Sequence, residues 1–365
     1  MFKIPIVLMT VLLALSACRN DADSIFISSA NDAPGFPSTA NESVPPSPEE
    51  ALIRFVDVGP GLCVVGRFPD GQDLLYDAGH WVGSNCLNAV REIVTDSVID
   101  LIVISHSDSD HLGELDEILD EFDAGIILHT GYERTTDAWR NANSAMQAQQ
   151  ARGATIINLA ETPMQPGEVI GLGQADGVFI AGWHEWDEAL SDPGFSPEGA
   201  ELRNVISIVL RIEFAGRRLL LTGDTIGRRL DDDLNACRDA QGVMVDRHPV
   251  VSLDADILLS AHHGGDNGDA ACFIEAVSPQ DIIISAGHAH RHPRGSTIDR
   301  YLGFGMTAEH IYRTDRGDDE GPGEWSLGRI DGCSDRRGDD AIELVIPGDP
   351  NEPYSITYVE QQTGC

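Results

Sequence analysis

Ser105-His106-Ser107-Asp108-Ser109-Asp110-His111-Leu112-Gly113 places four potential metal ligands, two imidazoles and two carboxylates, within six residues. The stretch follows an apolar run, Asp100 to Ser105, and precedes an apolar face made by Leu112, Leu115, Ile118, Leu119 and Phe122. Such a run is expected to form a buried strand and such spacing a helix, so the ligands occupy the polar turn between them. The end of a strand holds its backbone rigidly while alternate side chains diverge. His106 and Asp108 can therefore face one cation, and Asp110 and His111 another.

The same pattern of buried strand and polar turn recurs in weaker form at Leu219 to Thr222, Ile257 to Ser260 and Ile282 to Ser285. The first leads into Asp224, a carboxylate able to bridge two ions. The second leads into Ala261-His262-His263-Gly264-Gly265, where His262 supplies a further imidazole and His263 is the alternate for that role. A lone histidine in a loop is ordinarily solvated or hydrogen-bonded. Here seven of the 12 histidines fall in two windows, 106 to 111 and 262 to 292, and both windows open where a hydrophobic strand ends. His292 can hold a phosphate or protonate a leaving group, unless the run from His288 to His292 is a solvated loop. His80 either lines the cleft or is structural.

Leu52 to Val58, Leu62 to Phe68 and Leu74 to Tyr76, separated by Gly-Pro-Gly and Pro-Asp-Gly, read as a β-meander. Strands alternating with helices imply an α/β sandwich rather than a bundle or a barrel. His-x-Asp-x-Asp-His at 106 to 111, Thr-Gly-Asp at 222 to 224 and His-His-Gly at 262 to 264 resemble, in order and spacing, the metallo-β-lactamase-fold hydrolases. Within that superfamily the chain looks most like the hydrolase domain of ComEC-type competence proteins. The matches are Phe55 to Gly61, Leu75 to Gly79, Asn204 to Leu210, His292-Pro293 and Tyr312 to Asp315, so the likeness spans roughly residues 51 to 316.

The resemblance implies an αββα four-layer sandwich carrying two divalent ions, zinc or manganese. It puts His106 and Asp108 on one metal, Asp110, His111 and His262 on the other, and Asp224 between them. Asp108 stands where the superfamily commonly has histidine, and Asn204 replaces a histidine about twenty residues before the bridging aspartate. With fewer nitrogen ligands, the first site is expected to bind weakly or to prefer a harder ion such as manganese. Two ions about 3.5 to 4 Å apart would lower the pKa of a water and aim hydroxide at an electrophile, with Asp110 orienting the water.

Asp+Glu number 60 and Lys+Arg 24, a formal net charge of -36. Non-specific nucleic-acid binding is therefore not expected unless a metal or an arginine cluster locally reverses the field. The single lysine, Lys3, excludes Schiff-base chemistry and a Walker-type phosphate loop from the mature chain. Residues 1 to 17 read as a signal peptide, because the apolar run from Ile4 to Leu15 is too short to span a bilayer. Leu15-Ser16-Ala17-Cys18 resembles a bacterial lipobox, making Cys18 the lipidation site and the protein an exported membrane lipoprotein facing the periplasm or exterior. Residues 19 to 50, rich in Ser, Asn, Asp, Ala and Pro, read as a disordered tether. Residues 317 to 365 form a Gly- and Asp-rich extension with short β-like runs at 342 to 346 and 355 to 359. Six further cysteines suggest disulfides without selecting a pairing, and no Cys-x-x-Cys is present.

The leading expectation is an exported dinuclear hydrolase acting on a phosphodiester. Two alternatives remain: a periplasmic hydrolase of a small ester, lactone or β-lactam, and a non-catalytic surface-binding lipoprotein on the same fold. The membrane is the partner implied, through the lipid anchor, and no protein partner is readable. Thr130 to Gln150, read as a loop, and Trp183 to Pro197 are expected to wall the cleft.

Overall fold

The computed structural model describes residues 49–80, 82–182, 199–287, 289–316, 321–326 and 340–359. The signal peptide, Cys18, the tether to residue 48, Trp183 to Pro197, His288, Cys333 and Cys365 lie outside the described residues. Among the described residues no helix is long and apolar enough to cross a membrane.

The chain folds into the αββα sandwich. Strands β1 (Glu50–Phe55), β2 (Cys63–Arg67), β3 (Asp73–Ala78), β4 (Val98–Ile104), β5 (Asp123–His129) and β6 (Thr155–Asn158) follow one another across the first sheet. The second sheet holds β7 (Val169–Leu172), β8 (Ala175–Ala181), β9 (Val209–Phe214), β10 (Arg217–Leu221), β11 (Ile257–Leu259), β12 (Asp281–Ile284) and β13 (Ile311–Arg313), again in sequence order. The early strands pair antiparallel, as the meander reading expects. From β3 to β6 and from β10 to β13 the pairing is parallel, which needs crossovers and supplies the helices.

Alternation along each strand builds three apolar layers. Leu101 and Val103 of β4 point with Leu219 and Leu221 of β10 into the core between the sheets. On the outer face of the first sheet, Ile102 and Ile104 pack on α1 (Asn85–Ile93), α3 (Leu115–Glu121) and α4 (Asp137–Arg152). Helix α5 (Ala200–Val205) leads into β9, and the second sheet turns Leu220, Leu258 and Ile282 outward onto α6 (Asp239–Arg247), α7 (Ala271–Val277) and α8 (Gly295–Gly303). The helix read after the histidine motif is split at Gly113 into a short α2 (Ser109–Leu112) and α3.

Two expectations need correction. The segment from Thr130 to Gln150 is a loop only as far as Thr136, whose hydroxyl caps the Trp139 N–H and starts α4. Trp139, Ala142 and Met146 form its narrow buried stripe, and the Asn/Gln-rich remainder hides the periodicity. Nor does the folded unit stop at residue 316. β14 (Ile342–Pro347) pairs antiparallel with β1 and with β15 (Ser355–Tyr358), so the first sheet has eight strands among the described residues. Ile342, Leu344 and Ile346 enter the core between the sheets. Disulfides join Cys63 to Cys86, across β2 and α1, and Cys237 to Cys272, which anchors the approach to α6 on α7.

Leu344→Ala in β14 should cost about 3 kcal/mol by denaturant unfolding, the usual loss for a fully buried leucine. A loss within experimental error would mean that β14 does not complete the core. His129, buried at the end of β5, accepts from the Gly131 N–H at 3.2 Å, and burial pushes its pKa from 6.5 down to about 4. A depressed pKa stabilises the fold above the unfolded value near 6.5, and that stability drains away as pH falls through 4. Relative to His129→Asn, the wild type should lose on the order of 3 kcal/mol between pH 7 and pH 4. A pH-independent difference between the two would contradict this placement.

Candidate metal centre

Strand ends from both sheets deliver the sequence motifs to one place. β4 ends at Ile104 and releases Ser105 to His111; β10 ends at Leu221 before Thr222-Gly223-Asp224; β11 ends at Leu259 before His262 and His263. Gly223 has a left-handed φ of +51°, and a Cβ there would lie 2.8 Å from Ser105 Cβ. Only glycine lets the second-sheet loop approach β4 so closely. His262 and His263 also carry positive φ, 52° and 55°, an unusual pair that sends adjacent rings to opposite sides of Asp224.

Each of four imidazoles has its Nδ1 tied to an acceptor. His111 Nδ1 is 2.7 Å from Asp77 Oδ2, and His263 Nδ1 is 2.9 Å from the Ser285 carbonyl. His262 Nδ1 is 2.7 Å from Asn267 Oδ1. Ser105 Oγ donates to Asp77 at 2.7 Å, which leaves the hydroxyl oxygen to accept from His106 Nδ1 at 3.1 Å. These bonds fix the tautomers so that every Nε2 turns towards the carboxylates.

Around Asp224 Oδ1 lie His111 Nε2 at 3.3 Å and His263 Nε2 at 3.5 Å. Asp110 Oδ2 closes the group, 3.9 Å from His111 Nε2 and 3.8 Å from His263 Nε2. Donors about 2.1 Å from one tetrahedral ion would be roughly 3.4 Å apart; His111, His263 and Asp224 come near that, Asp110 stands farther out, and the ligand atoms gather in two overlapping sets that share His111, one with Asp110 and His263 and one with His106 and Asp224. On the other side, Asp224 Oδ2 is 4.0 Å from His106 Nε2 and 3.8 Å from His262 Nε2. His106 Nε2, His111 Nε2, His263 Nε2 and Asp224 Oδ1 are buried without a hydrogen-bond partner. Buried polar atoms are rarely left so, and convergent orphans of this chemistry are what a cation would satisfy.

The electrostatics agree. Burial is the largest influence on His111 and pulls its pKa down, but Asp224 and Asp77 together reverse it and hold the ring well above its ordinary value. Burial likewise works against ionised Asp224, yet His111, His263 and His262 hold its pKa well below the carboxylate range. A field that traps a proton on a buried imidazole is one that a divalent cation can take over. Burial, followed by His111, keeps the His106 pKa far down, and burial lowers that of His263. Both rings therefore offer lone pairs.

Three placements differ from the sequence reading. His263, not His262, joins Asp110 and His111, while His262 stands on the His106 side and takes a contact from Asn204 Nδ2 at 3.2 Å. Asp108 lies 3.9 Å from His106 Nε2, but its Oδ1 also accepts from Arg134 at 2.7 Å and from Arg203. His292 stacks on His263, with ring centroids 6.3 Å apart, and burial followed by His263 and His262 holds its pKa down at about 2. A neutral ring donates a hydrogen bond but brings no extra proton for a leaving group. Sequence reasoning did not give Asp77 a role; its only signal was its place in Asp77-Ala78-Gly79, where it takes a left-handed φ of 58°.

This fold and this donor set define a class: the chain belongs to the metallo-beta-lactamase superfamily, whose family model matches residues 56–288. Among curated proteins it is similar to Competence protein ComA of Neisseria gonorrhoeae, 27% identical over 302 residues, covering 81% of this chain and 35% of that protein. It is also similar to ComE operon protein 3 of Bacillus subtilis (strain 168), 23% identical over 226 residues, covering 61% of this chain and 24% of that one. Both bear out the competence-protein resemblance, although the chain spans only about a third and a quarter of their lengths. Among solved structures, the metallo-beta-lactamase fold protein YhfI from Bacillus subtilis is 13% identical, covering 72% of this chain and 96% of that one with a TM-score of 0.43.

Asp77→Asn keeps the shape but weakens the acceptor that orients His111. It should lower divalent-metal affinity about 10- to 100-fold, read by competition with a chromogenic chelator. Unchanged affinity would remove Asp77 from the centre.

Proposed function

We propose that this chain is an exported metal-dependent hydrolase of phosphodiesters. The observation that carries the reading is the convergence of Asp110 Oδ2, His111 Nε2, His263 Nε2 and Asp224 Oδ1, three of them buried and unpaired. Those four would hold one ion, zinc or manganese. A second, more weakly held and harder ion would use His106, His262, Asp108 and the other oxygen of Asp224. Ions bound there would supply Lewis acidity, polarising a phosphoryl oxygen and bringing the pKa of water towards neutrality.

The chain's own groups do the rest. Asp110, one-third exposed, faces solvent as well as the centre and can orient an incoming water and accept its proton. Neutral His292 can donate its ring N–H to a phosphoryl oxygen. Asp77 and Ser285 keep the rings of His111 and His263 from turning. The likeness to competence proteins supports the phosphodiester, and two disulfides support an oxidising compartment. The lipobox reading of Cys18 would tether the enzyme to the membrane.

One observation favours a small ester, lactone or β-lactam instead: a formal charge of -36 repels polyanions. Purified protein with Mn²⁺ or Zn²⁺ should hydrolyse bis-p-nitrophenyl phosphate, and Asp224→Asn should reduce kcat by about three orders of magnitude, the loss of several kcal/mol of charge stabilisation. Intact phosphodiesters beside a cleaved lactone or ester would sink the proposal.

A further inference from the structure

Asn204 lies in the last turn of α5, and the segment that follows it is tied to both halves of the metal centre. The Ile208 N–H donates to the Ser105 carbonyl at 2.8 Å, and the Ser207 hydroxyl accepts from the Asp224 N–H at 3.2 Å. The Ser207 N–H in turn donates to the Asn204 carbonyl at 3.1 Å. These bonds fix the buried Asn204 against the strand ends that carry His106 and Asp224.

Its amide is only half satisfied. Nδ2 donates to His262 Nε2 at 3.2 Å, while Oδ1 is buried with no hydrogen-bond partner. The direction follows from the ring. His262 Nδ1 faces Asn267 Oδ1, an acceptor, at 2.7 Å, so the proton sits on Nδ1 and Nε2 offers its lone pair. His106, His111 and His263 leave the same atom without a partner, whereas His262 commits it to Asn204. An ion on this side of Asp224 cannot use His262 while that bond stands. A half-turn of the amide removes the obstacle and exchanges its two ends: Nδ2 swings away, and Oδ1, an acceptor with two lone pairs, takes its place. Two ligands about 2.1 Å from one ion stand roughly 3.0 Å apart at octahedral angles and 3.4 Å apart at tetrahedral ones. The 3.2 Å between the Asn204 amide and His262 Nε2 falls between those values.

The same side of Asp224 is short of ligands. His106 Nε2 stands 4.0 Å from Asp224 Oδ2, and Asp108 shares both its oxygens with Arg203 and one with Arg134. A carbonyl oxygen is a hard, neutral ligand of the kind that manganese and magnesium accept.

Resting on the two-ion reading of the centre, we propose that Asn204 is a ligand of the second ion. In the empty site its N–H latches His262; on loading, the amide turns, and Oδ1 joins His262 Nε2 on the ion. The second site then opens only at the cost of that latch, which makes it the weaker of the two, and its amide oxygen favours a harder ion than an imidazole would.

Manganese titration of the chelator-stripped protein, followed by the paramagnetic resonance signal of free Mn²⁺, counts the ions and gives both affinities. The wild type should take two, the second more weakly. Asn204→Leu keeps the side chain's approximate shape without donor or acceptor; it should leave the first affinity within about twofold and weaken the second by about tenfold or more. Asn204→Asp offers an oxygen whichever way it turns, and should hold the second ion at least as tightly as the wild type. If Asn204→Leu loses the first ion as well, its fold is lost and Asn204→Asp decides alone. A leucine variant that keeps the first ion and binds the second as well as the wild type, or better, would show the amide to be only a latch and would overturn the assignment. So would an aspartate variant with a weakened second ion. A wild type limited to one ion overturns it too, yet leaves the hydrolase standing if bis-p-nitrophenyl phosphate is cut. No bound ion at all sinks the metal reading itself, and two ions held through Asn204 without phosphodiester cleavage sink only the hydrolase.

Discussion

The carboxylate of Asp224 is the point on which the structure turns. It is buried and surrounded by imidazole Nε2 atoms from both sheets, with His111 and His263 at one oxygen and His106 and His262 at the other. Burying an ionised carboxylate is costly unless positive charge is brought to it. The chain meets that demand with nitrogen donors whose far atoms are already committed to Asp77, Ser105, Ser285 and Asn267. Such an arrangement is tolerable with a proton in it and better with a cation.

The sandwich makes the arrangement possible. Parallel strands β4, β10 and β11 finish at one edge of the two sheets, and their ends are rigid because side chains on both faces are packed between layers. Loops are thus anchored within ångströms of each other although their sequences are far apart. Close approach at Gly223 and the left-handed backbone at His262 and His263 supply the final adjustment. Local strain of this kind persists only where the surroundings over-determine it.

Much of this was legible in the chain. Apolar runs ending in His/Asp clusters are local signals, and each cluster lies where the strand reading puts it. The choice between His262 and His263 was not legible, because it depends on two consecutive positive φ values that composition does not reveal. Asp108 looked like a ligand with no competitor; Arg134 and Arg203 come from 26 and 95 residues away, a separation that no periodicity reports. α4 was hidden by its polar Asn and Gln residues; the run that forms β14 was read as β-like, but the Gly- and Asp-rich stretch before it makes residue 316 look like the end of the domain. In both cases tertiary packing supplied what local pattern lacked.

Crystals of the metal-supplied protein, with diffraction measured on both sides of the zinc and manganese absorption edges, address the central claim directly. The account requires an anomalous peak enclosed by Asp110, His111, His263 and Asp224, with ligand distances of about 2.0 to 2.2 Å. A replete crystal with no anomalous density among these four side chains, or with the ion held elsewhere, would contradict it.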